Sequence, residues 1–177
     1  MKPIDLPKMV SIRKRSKKVM KTNKKTLGKS IEERPEYIND RSEFGHWEID
    51  LVLGKKTKSE AVMLTLVERQ TRYALGVKLE DKQSQTINRA VTHLISQYPI
   101  ASITADNGSE FSFLSTLEAV DVYFAHPYSS HERGTNKNFN GLLREYVPKG
   151  ISLNPLTSEE LDNYLTAINE RLRRLLQ

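Results

Sequence analysis

The hydrophobic period of the chain changes near residue 84 from that of strands to that of a helix, and this change restricts the fold more than any other feature. In residues 46–54, HWEIDLVLG, apolar side chains stand at every second position, as in a β-strand. Two more β-rich runs follow at 61–69 and 73–80. In SQTINRAVTHLISQYP, from residue 84, the apolar positions recur at helical spacing. Three successive strands followed by helices and strands predict a mixed α/β sheet with helices on both faces.

The second half of the chain supplies two more strands and two helices. Residues 100–108, IASITADNG, predict a short buried strand that stops at an Asn-Gly turn, and VYFAH predicts another. ERGTNKNFNGLLREYVPKG opens with turn formers and continues as a helix with one apolar stripe. A last helix begins at Thr157, with Glu160 completing a capping box. The sheet is thus expected to have five strands.

Length and composition limit the class of protein that this chain can be. A chain of 177 residues with 37% hydrophobic content can bury one sizeable core. It has no cysteine, which excludes disulfides and thiolate metal sites. It contains neither an apolar run of the roughly 18 residues that a membrane span needs nor the core of a secretory signal. These features predict a cytoplasmic protein with no membrane partner.

The positive charge is concentrated in an N-terminal arm. Residues 1–34 hold twelve basic and three acidic residues, a net charge of +9, whereas the remainder holds 16 and 19, a net charge of −3. Such a run is either a solvated tail or a segment that binds DNA phosphates and releases counterions. In the second reading, the contacts come from the cations Arg13, Lys14, Arg15, Lys17, Lys18, Lys24 and Lys25.

Two aspartates are candidates for chemistry. Asp50 lies on the less apolar face of the first long strand, and Asp106 ends a later strand. Taken singly, each has a plain explanation as a solvent-facing strand residue or a turn former. Ligands of mixed α/β sheets gather beyond strand ends, so both carboxylates could instead converge on one site. A carboxylate pair suits Mg²⁺, and two such ions can clamp the oxygens of a phosphoryl displacement.

Five ordered motifs resemble one known family: IEERPEYINDRS, GHWEID, TADNGSEF, AHPYSS and ERGTNKNFNGLLREYVPKG. Over roughly residues 30 to 150 they are similar to the catalytic core of bacterial insertion-sequence transposases of family thirty, within the DDE superfamily of retroviral-type integrases. The resemblance implies a ribonuclease-H-like fold and DNA strand cleavage and transfer that depends on Mg²⁺ or Mn²⁺. It makes Asp50 and Asp106 the first two metal-binding acids. Residues 1–40 are then an arm and connector, 41–150 the core, and 151–177 a C-terminal helix packed on it.

The chain departs from the family at the third acid. The family reads Asn-Glu-Asn where this sequence has Asn136, Lys137 and Asn138. The first turn of a helix disfavours a cation by about 0.3 to 1 kcal/mol, so a lysine there needs anions nearby. The hypothesis is that Lys137 pairs with one or both aspartates as a built-in counterion. Mg²⁺ then binds weakly or not at all, and the reaction fails.

The sequence also predicts residues that support the two acids, and it leaves two alternative functions open. The side chains predicted to support the acids are Asn107, Glu110, His126, Asn136 and Asn138. A relocated acid, Glu132, could restore an active nuclease, although on a regular helix neither it nor Glu145 overlays position 137. A third possibility is a non-catalytic DNA-binding or oligomerising fragment. The partners implied are DNA and a second copy of the chain in a bacterial, nucleoid-associated setting, with no small-molecule substrate.

Overall fold

One six-stranded mixed sheet organises the protein. The computed structural model describes residues 26–171 apart from 58 and 128, and at 130 and 131 it describes the backbone alone. The strands are β1 (Lys29–Ser30), β2 (His46–Leu53), β3 (Val62–Glu68), β4 (Ala74–Leu79), β5 (Ser102–Ala105) and β6 (Asp121–Phe124). Their order across the sheet is β1-β6-β5-β2-β3-β4. The three strands β2, β3 and β4 are antiparallel neighbours, while β2, β5, β6 and β1 run parallel.

The mixed α/β architecture predicted from the sequence is confirmed, with one strand more than expected. The additional strand, β1, pairs Lys29 with Tyr123 and Ser30 with Phe124 at the edge of the sheet. A strand of two residues is too short to produce an alternating pattern, so the sequence gives no signal for it.

In the described part of the chain, four α-helices pack around the sheet: α1 (Glu36–Asn39), α2 (Ser84–Gln97), α3 (Gly134–Tyr146) and α4 (Ser158–Asn169). Short 3₁₀ turns lie at Ile31–Glu33, Ser109–Thr116 and Ser130–Arg133. The capping box predicted for the last helix is confirmed, because the Glu160 amide donates to Thr157 Oγ1 at 3.1 Å and the Thr157 amide donates to Glu160 Oε2 at 2.9 Å. None of the helices within the described ranges is long and apolar enough to cross a bilayer.

The sheet is covered on both faces, so each face has its own apolar core. On one face, Trp47 and Ile49 of β2 pack in a cluster with Ile87 and Val91 of α2. On the other face, Val52 belongs to a second cluster built mainly with α3 and α4. Strand β3 is buried along its whole length because it contributes to both clusters. Alternation along β2 therefore directs Glu48 and Asp50 toward α3 rather than toward open solvent.

The connector that precedes the core lies on the sheet. Arg34 donates to Thr104 Oγ1 of β5 at 3.0 Å and to Asn39 Oδ1 at 2.8 Å. Burial lowers the pKa of Arg34 to about 10. The Leu27 amide donates to Asn107 Oδ1 at 3.0 Å. The domain boundaries at residues 40 and 150 stay predictions, and the seven basic residues expected to contact DNA lie outside the described ranges.

Candidate active site between β2 and β5

The two aspartates lie level with each other on neighbouring strands. The parallel pairing of β2 with β5 sets His46 opposite Ser102 and Glu48 opposite Thr104. Continued by two residues, the same register sets Asp50 opposite Asp106, immediately after β5 ends. Neighbouring strands are about 4.8 Å apart, and positions of the same parity face the same side. Both carboxylates therefore lie on the face that α3 covers.

One guanidinium joins the two carboxylates. Arg133 ends the 3₁₀ turn before α3, and its Nη1 lies 3.3 Å from Asp50 Oδ1 while its Nη2 lies 3.1 Å from Asp106 Oδ2. Nη1 also donates to the Ile49 carbonyl at 3.2 Å. The Arg133 side chain is 12% exposed, against 24% for Asp50 and 37% for Asp106. The shared cation offsets the repulsion between two carboxylates at one place.

The remaining oxygens of the aspartates are held by their surroundings. Asp50 Oδ2 accepts from Asn140 Nδ2 of α3 at 2.8 Å, and Oδ1 accepts from the Leu51 amide at 3.0 Å. Asp106 Oδ1 accepts from the Gly108 amide at 3.0 Å. A Cβ at Gly108 would lie 2.7 Å from the Glu110 carboxylate and 2.8 Å from Asp106 Oδ1. A larger residue at position 108 would therefore have to displace one or both carboxylates.

The predicted ion pair between Lys137 and the aspartates is wrong, because Arg133 is the residue that pairs with them. Lys137 is the fourth residue of α3 and its side chain is exposed. Within the described ranges, no carboxylate lies within ion-pair distance of its ammonium. Lys137 lines the same cavity as Asp50 and Asn140, so it lies at the rim of the site rather than between the acids.

A buried ion pair lies beneath the site and holds the first turn of α3. Glu48 is fully buried on β2, and its Oε1 lies 2.6 Å from Arg69 Nη1. Its Oε2 accepts from the Asn136 amide at 3.0 Å. The partly positive N-terminus of the helix thus faces a carboxylate. Arg72 adds a second link by donating to Thr135 Oγ1 at 2.5 Å.

Glu132, the candidate replacement acid, is occupied by His126. Its Oε2 accepts from the His126 amide at 2.9 Å, and its Oε1 lies 2.9 Å from His126 Nδ1. The other ring nitrogen of His126 lies 3.4 Å from Glu32. The hydrogen bond and charge of Glu132 raise the pKa of His126, with a smaller contribution from Glu32. Glu145 pairs with Arg171 instead, at 3.3 Å.

Some of the predicted supporting residues lie at the site, and others lie away from it. Asn136 is 1% exposed and lines the cavity beside Asp50, whereas Asn138 is exposed on α3. Glu110 lies next to Gly108, and Asn107 holds the chain at Leu27.

Sequence reasoning missed the residues that organise the site: Glu48, Arg133 and Asn140. A signal for them exists. Arg133, Asn136 and Asn140 stand at i, i+3 and i+7, so a helix through this segment places them on one face. Glu48 and Asp50 share parity on β2, which indicates that both face the same neighbour.

The donor set does not fit a site for two divalent ions. Mg²⁺ sites use carboxylate oxygens, here offered by Asp50 and Asp106, yet both carboxylates are already paired with Arg133. Lys137 brings a positive charge to the rim of the same cavity. In residues 26–171, with the stated gaps, no group of three histidine, aspartate or glutamate side chains is placed to hold a metal ion.

The mixed six-stranded sheet of the described residues, with helices on both faces, has the ribonuclease-H-like fold of integrase catalytic cores. Residues 40–130 match the Integrase core domain family, and the chain belongs to that family.

Its relatives include transposases of bacterial insertion sequences, among them that of IS30. The chain is 63% identical over 174 residues to the "Probable transposase for insertion-like sequence element IS1161" of Streptococcus salivarius, covering 98% of this chain and 51% of that protein. It is 40% identical over 156 residues to "Transposase InsI for insertion sequence element IS30A" of Escherichia coli (strain K12), covering 85% and 40%. The chain thus spans about half of the first relative and 40% of the second.

Among solved structures, the catalytic core domain of BIV integrase aligns with a TM-score of 0.56 at 15% identity, over 73% of this chain and 86% of that one. A chain of the simian T-cell lymphotropic virus intasome aligns with a TM-score of 0.51 at 19% identity, over 70% and 46%. At these identities the likeness establishes the fold alone.

Proposed function

We propose that this chain is the catalytic-core segment of an insertion-sequence transposase whose DNA strand cleavage and transfer is impaired by Lys137. In this proposal Asp50 and Asp106 are the acids that would hold the divalent metal on which the family generally depends. Its partners are DNA and a second copy of the chain, in the bacterial cytoplasm with the nucleoid.

The observation that carries the proposal is the convergence of both aspartates on one guanidinium. Asp50 and Asp106 are 56 residues apart in sequence, yet Arg133 reaches both at 3.3 and 3.1 Å. Such convergence is expected of an active site and not of two unrelated surface residues. The fold relatives support the type of chemistry, and the lysine at position 137 supports its impairment.

The impairment follows from charge. A third carboxylate at position 137 would give the rim of the cavity the oxygen ligand that a second cation needs. A lysine ammonium has three donors and no acceptor, so it cannot ligate a metal ion while protonated. It also repels a divalent cation from the cavity that it lines with Asp50. A relocated acid is disfavoured because both oxygens of Glu132 bind His126.

The test is Lys137→Glu. We expect this variant to bind Mn²⁺ by calorimetry at least about tenfold more tightly than the parent, since it exchanges a repelling charge for a ligand. It should also nick supercoiled DNA, and Asp50→Asn in the same background should abolish the nicking. Lys82→Glu is the matched control, because Lys82 is exposed and lies outside the cavity beside Asp50.

Two results would contradict the proposal. The first is nicking by the unaltered chain with Mn²⁺ that Asp50→Asn removes, which would show a working enzyme. The second is equal Mn²⁺ affinity in Lys137→Glu and Lys82→Glu.

A non-catalytic DNA-binding or oligomerising module is the second candidate. The charge of the arm favours it, since residues 1–34 carry a net +9 whereas the rest of the chain carries −3. In this case DNA affinity resides in the arm and is indifferent to Asp50, so Asp50→Asn should leave binding unchanged.

A further inference from the structure

A cavity of about 370 Å³ opens beside Asp50. Strand β2 forms one wall, and α3 with the segment after it forms the other. The charged residues in these walls are Asp50, Arg133, Lys137, Arg144 and Lys149, and Asn136 lies among them.

The charges that line the cavity are mostly positive. Its one carboxylate, Asp50, is already paired with Arg133 and hydrogen-bonded by Asn140. Lys137 and Lys149 are exposed, and within the described ranges neither ammonium has a carboxylate or another acceptor. The lining residues therefore carry a formal charge of +3, and the charge is still +2 when Asp106, which shares Arg133 with Asp50, is included. Such a concave positive surface attracts anions.

One of these cations is fixed in place. Arg144 donates through Nη2 to the Leu53 carbonyl at 3.0 Å and through Nη1 to the Val147 carbonyl at 3.2 Å. Carbonyl oxygens do not neutralise a guanidinium, so its positive charge remains at the cavity wall.

The cavity also contains buried polar atoms that lack partners. Asn136 is 1% exposed, and within the described part of the chain neither Oδ1 nor Nδ2 of its side chain has a hydrogen bond. Asn140 Oδ1 is likewise buried without a partner there. Native proteins rarely leave such groups unsatisfied, because each costs about 1 to 3 kcal/mol. An amide without partners in the wall of a positive cavity points to a polar ligand.

We propose that this cavity binds a phosphate group directly on protein side chains, without a divalent metal, and that the group is a phosphodiester of the DNA backbone. The inference rests on the proposed function, since it assigns the same site its substrate class. Lys137 and Lys149 supply charge to the phosphate oxygens, and Asn136 Nδ2 supplies a hydrogen bond. The residue that disfavours the metal thus becomes the residue that holds the phosphate. Lysine suits this role because its ammonium is a compact point charge.

The experiment follows the side-chain amide signal of Asn136 by ¹H–¹⁵N NMR on the full chain in EDTA. Inorganic phosphate is titrated first, and an oligothymidylate of about ten nucleotides second, a length that fits a single-strand site. We expect both ligands to move the Asn136 signal. Lys137→Met should weaken this response at least about tenfold, as expected for a lost charge-assisted hydrogen bond. Lys82→Met, which removes an exposed lysine outside the cavity, should leave it unchanged.

Each contrary outcome overturns a stated part of the proposal. An Asn136 signal that stays still in EDTA and responds to these ligands only when Mg²⁺ replaces the EDTA overturns direct binding. Equal responses in Lys137→Met and Lys82→Met overturn the role of Lys137. A response to inorganic phosphate alone overturns the assignment to DNA. These failures are distinct from failure of the proposed function, which is decided by Mn²⁺ binding and nicking in Lys137→Glu.

Discussion

Arg133 and Lys137 are four residues apart, yet only Arg133 reaches the aspartates. Arg133 lies before α3 begins, beside Asp50 of β2 and the end of β5, whereas Lys137 lies within the helix at the cavity rim. The planar guanidinium also offers separate N–H groups to separate carboxylates, which a single ammonium does not match. Charge alone would allow either cation between the acids, and geometry selects the arginine.

The contact between His126 and Glu132 leads to a prediction about the pH dependence of stability. Glu132 raises the pKa of His126 through a hydrogen bond and its charge, and Glu32 adds a smaller effect. A histidine with a raised folded-state pKa contributes stability that is fully present below about pH 6.5, its unfolded value, and is lost as pH rises through the folded value. Glu132→Gln should therefore lower the His126 pKa, measured by NMR titration, and destabilise the protein more at pH 5.5 than at pH 8.5.

The control for this prediction is Glu118→Gln, which removes an exposed acid that precedes β6, whereas His126 follows the other end of that strand. It should leave the titration midpoint of His126 in place. A midpoint equally unmoved by Glu132→Gln would show that the contact in the structure does not govern the protonation of His126.

At the scale of single elements, the position of α3 depends on a buried carboxylate. Glu48 joins the first turn of the helix, through the Asn136 amide, to Arg69. Arg69 is 4% exposed, and its Nε donates to the Ile38 carbonyl at 3.2 Å. Burial lowers the pKa of Arg69, and the charge of Glu48 opposes this shift. The same helix carries Asn140 to Asp50, so the anchor positions the site.

Glu48→Gln should destabilise the fold by about 3 kcal/mol or more, because it leaves a buried guanidinium without its carboxylate. For a chain of this size that corresponds to a fall in Tm of roughly 10 °C, measured by calorimetry or circular dichroism. The Asn136 amide should also exchange its hydrogen faster, since its acceptor is weakened.

The matched control lies on the same helix. Glu145→Gln breaks an exposed pair with Arg171, at 3.3 Å with both side chains more than half exposed, and should cost less than about 1 kcal/mol. Adding Arg69→Met to Glu48→Gln should recover part of the loss, since it removes the unpaired charge. Equal losses in Glu48→Gln and Glu145→Gln would mean that the buried pair does not anchor α3.

Periodic elements could be predicted from the sequence, and pairwise contacts could not. The alternation in β2 and the helical spacing in α2 are local patterns, and both elements form where those patterns lie. The choice of Arg133 over Lys137 depends on where the 3₁₀ turn places a side chain relative to two strands, which no local pattern specifies. Glu48 reads as a strand residue facing solvent until α3 is known to cover it.

At the scale of the whole molecule, charge is divided between two parts. The arm carries the positive excess, and the remainder carries a net −3 although its cavity beside Asp50 is locally positive. Non-specific DNA affinity depends on the number of phosphates that cations neutralise, so the arm should dominate it. The cavity, with a few cations, would add a local contact at the site.

The salt dependence of DNA affinity in the intact chain shows how many phosphate contacts come from the arm and how many from the core. Each phosphate contact contributes about 0.9 to the slope of log affinity against log salt on duplex DNA. Replacing Lys17 and Lys18 by glutamine should therefore lower the slope by up to about 1.8 in a fluorescence anisotropy titration at several salt concentrations. The adjacent pair Lys55 and Lys56, exposed after β2, is the matched control and should leave the slope nearly unchanged when replaced in the same way. Both double substitutions remove the same charge. A larger fall in the slope for Lys55 and Lys56 than for Lys17 and Lys18 would therefore show that the core, and not the arm, contacts DNA.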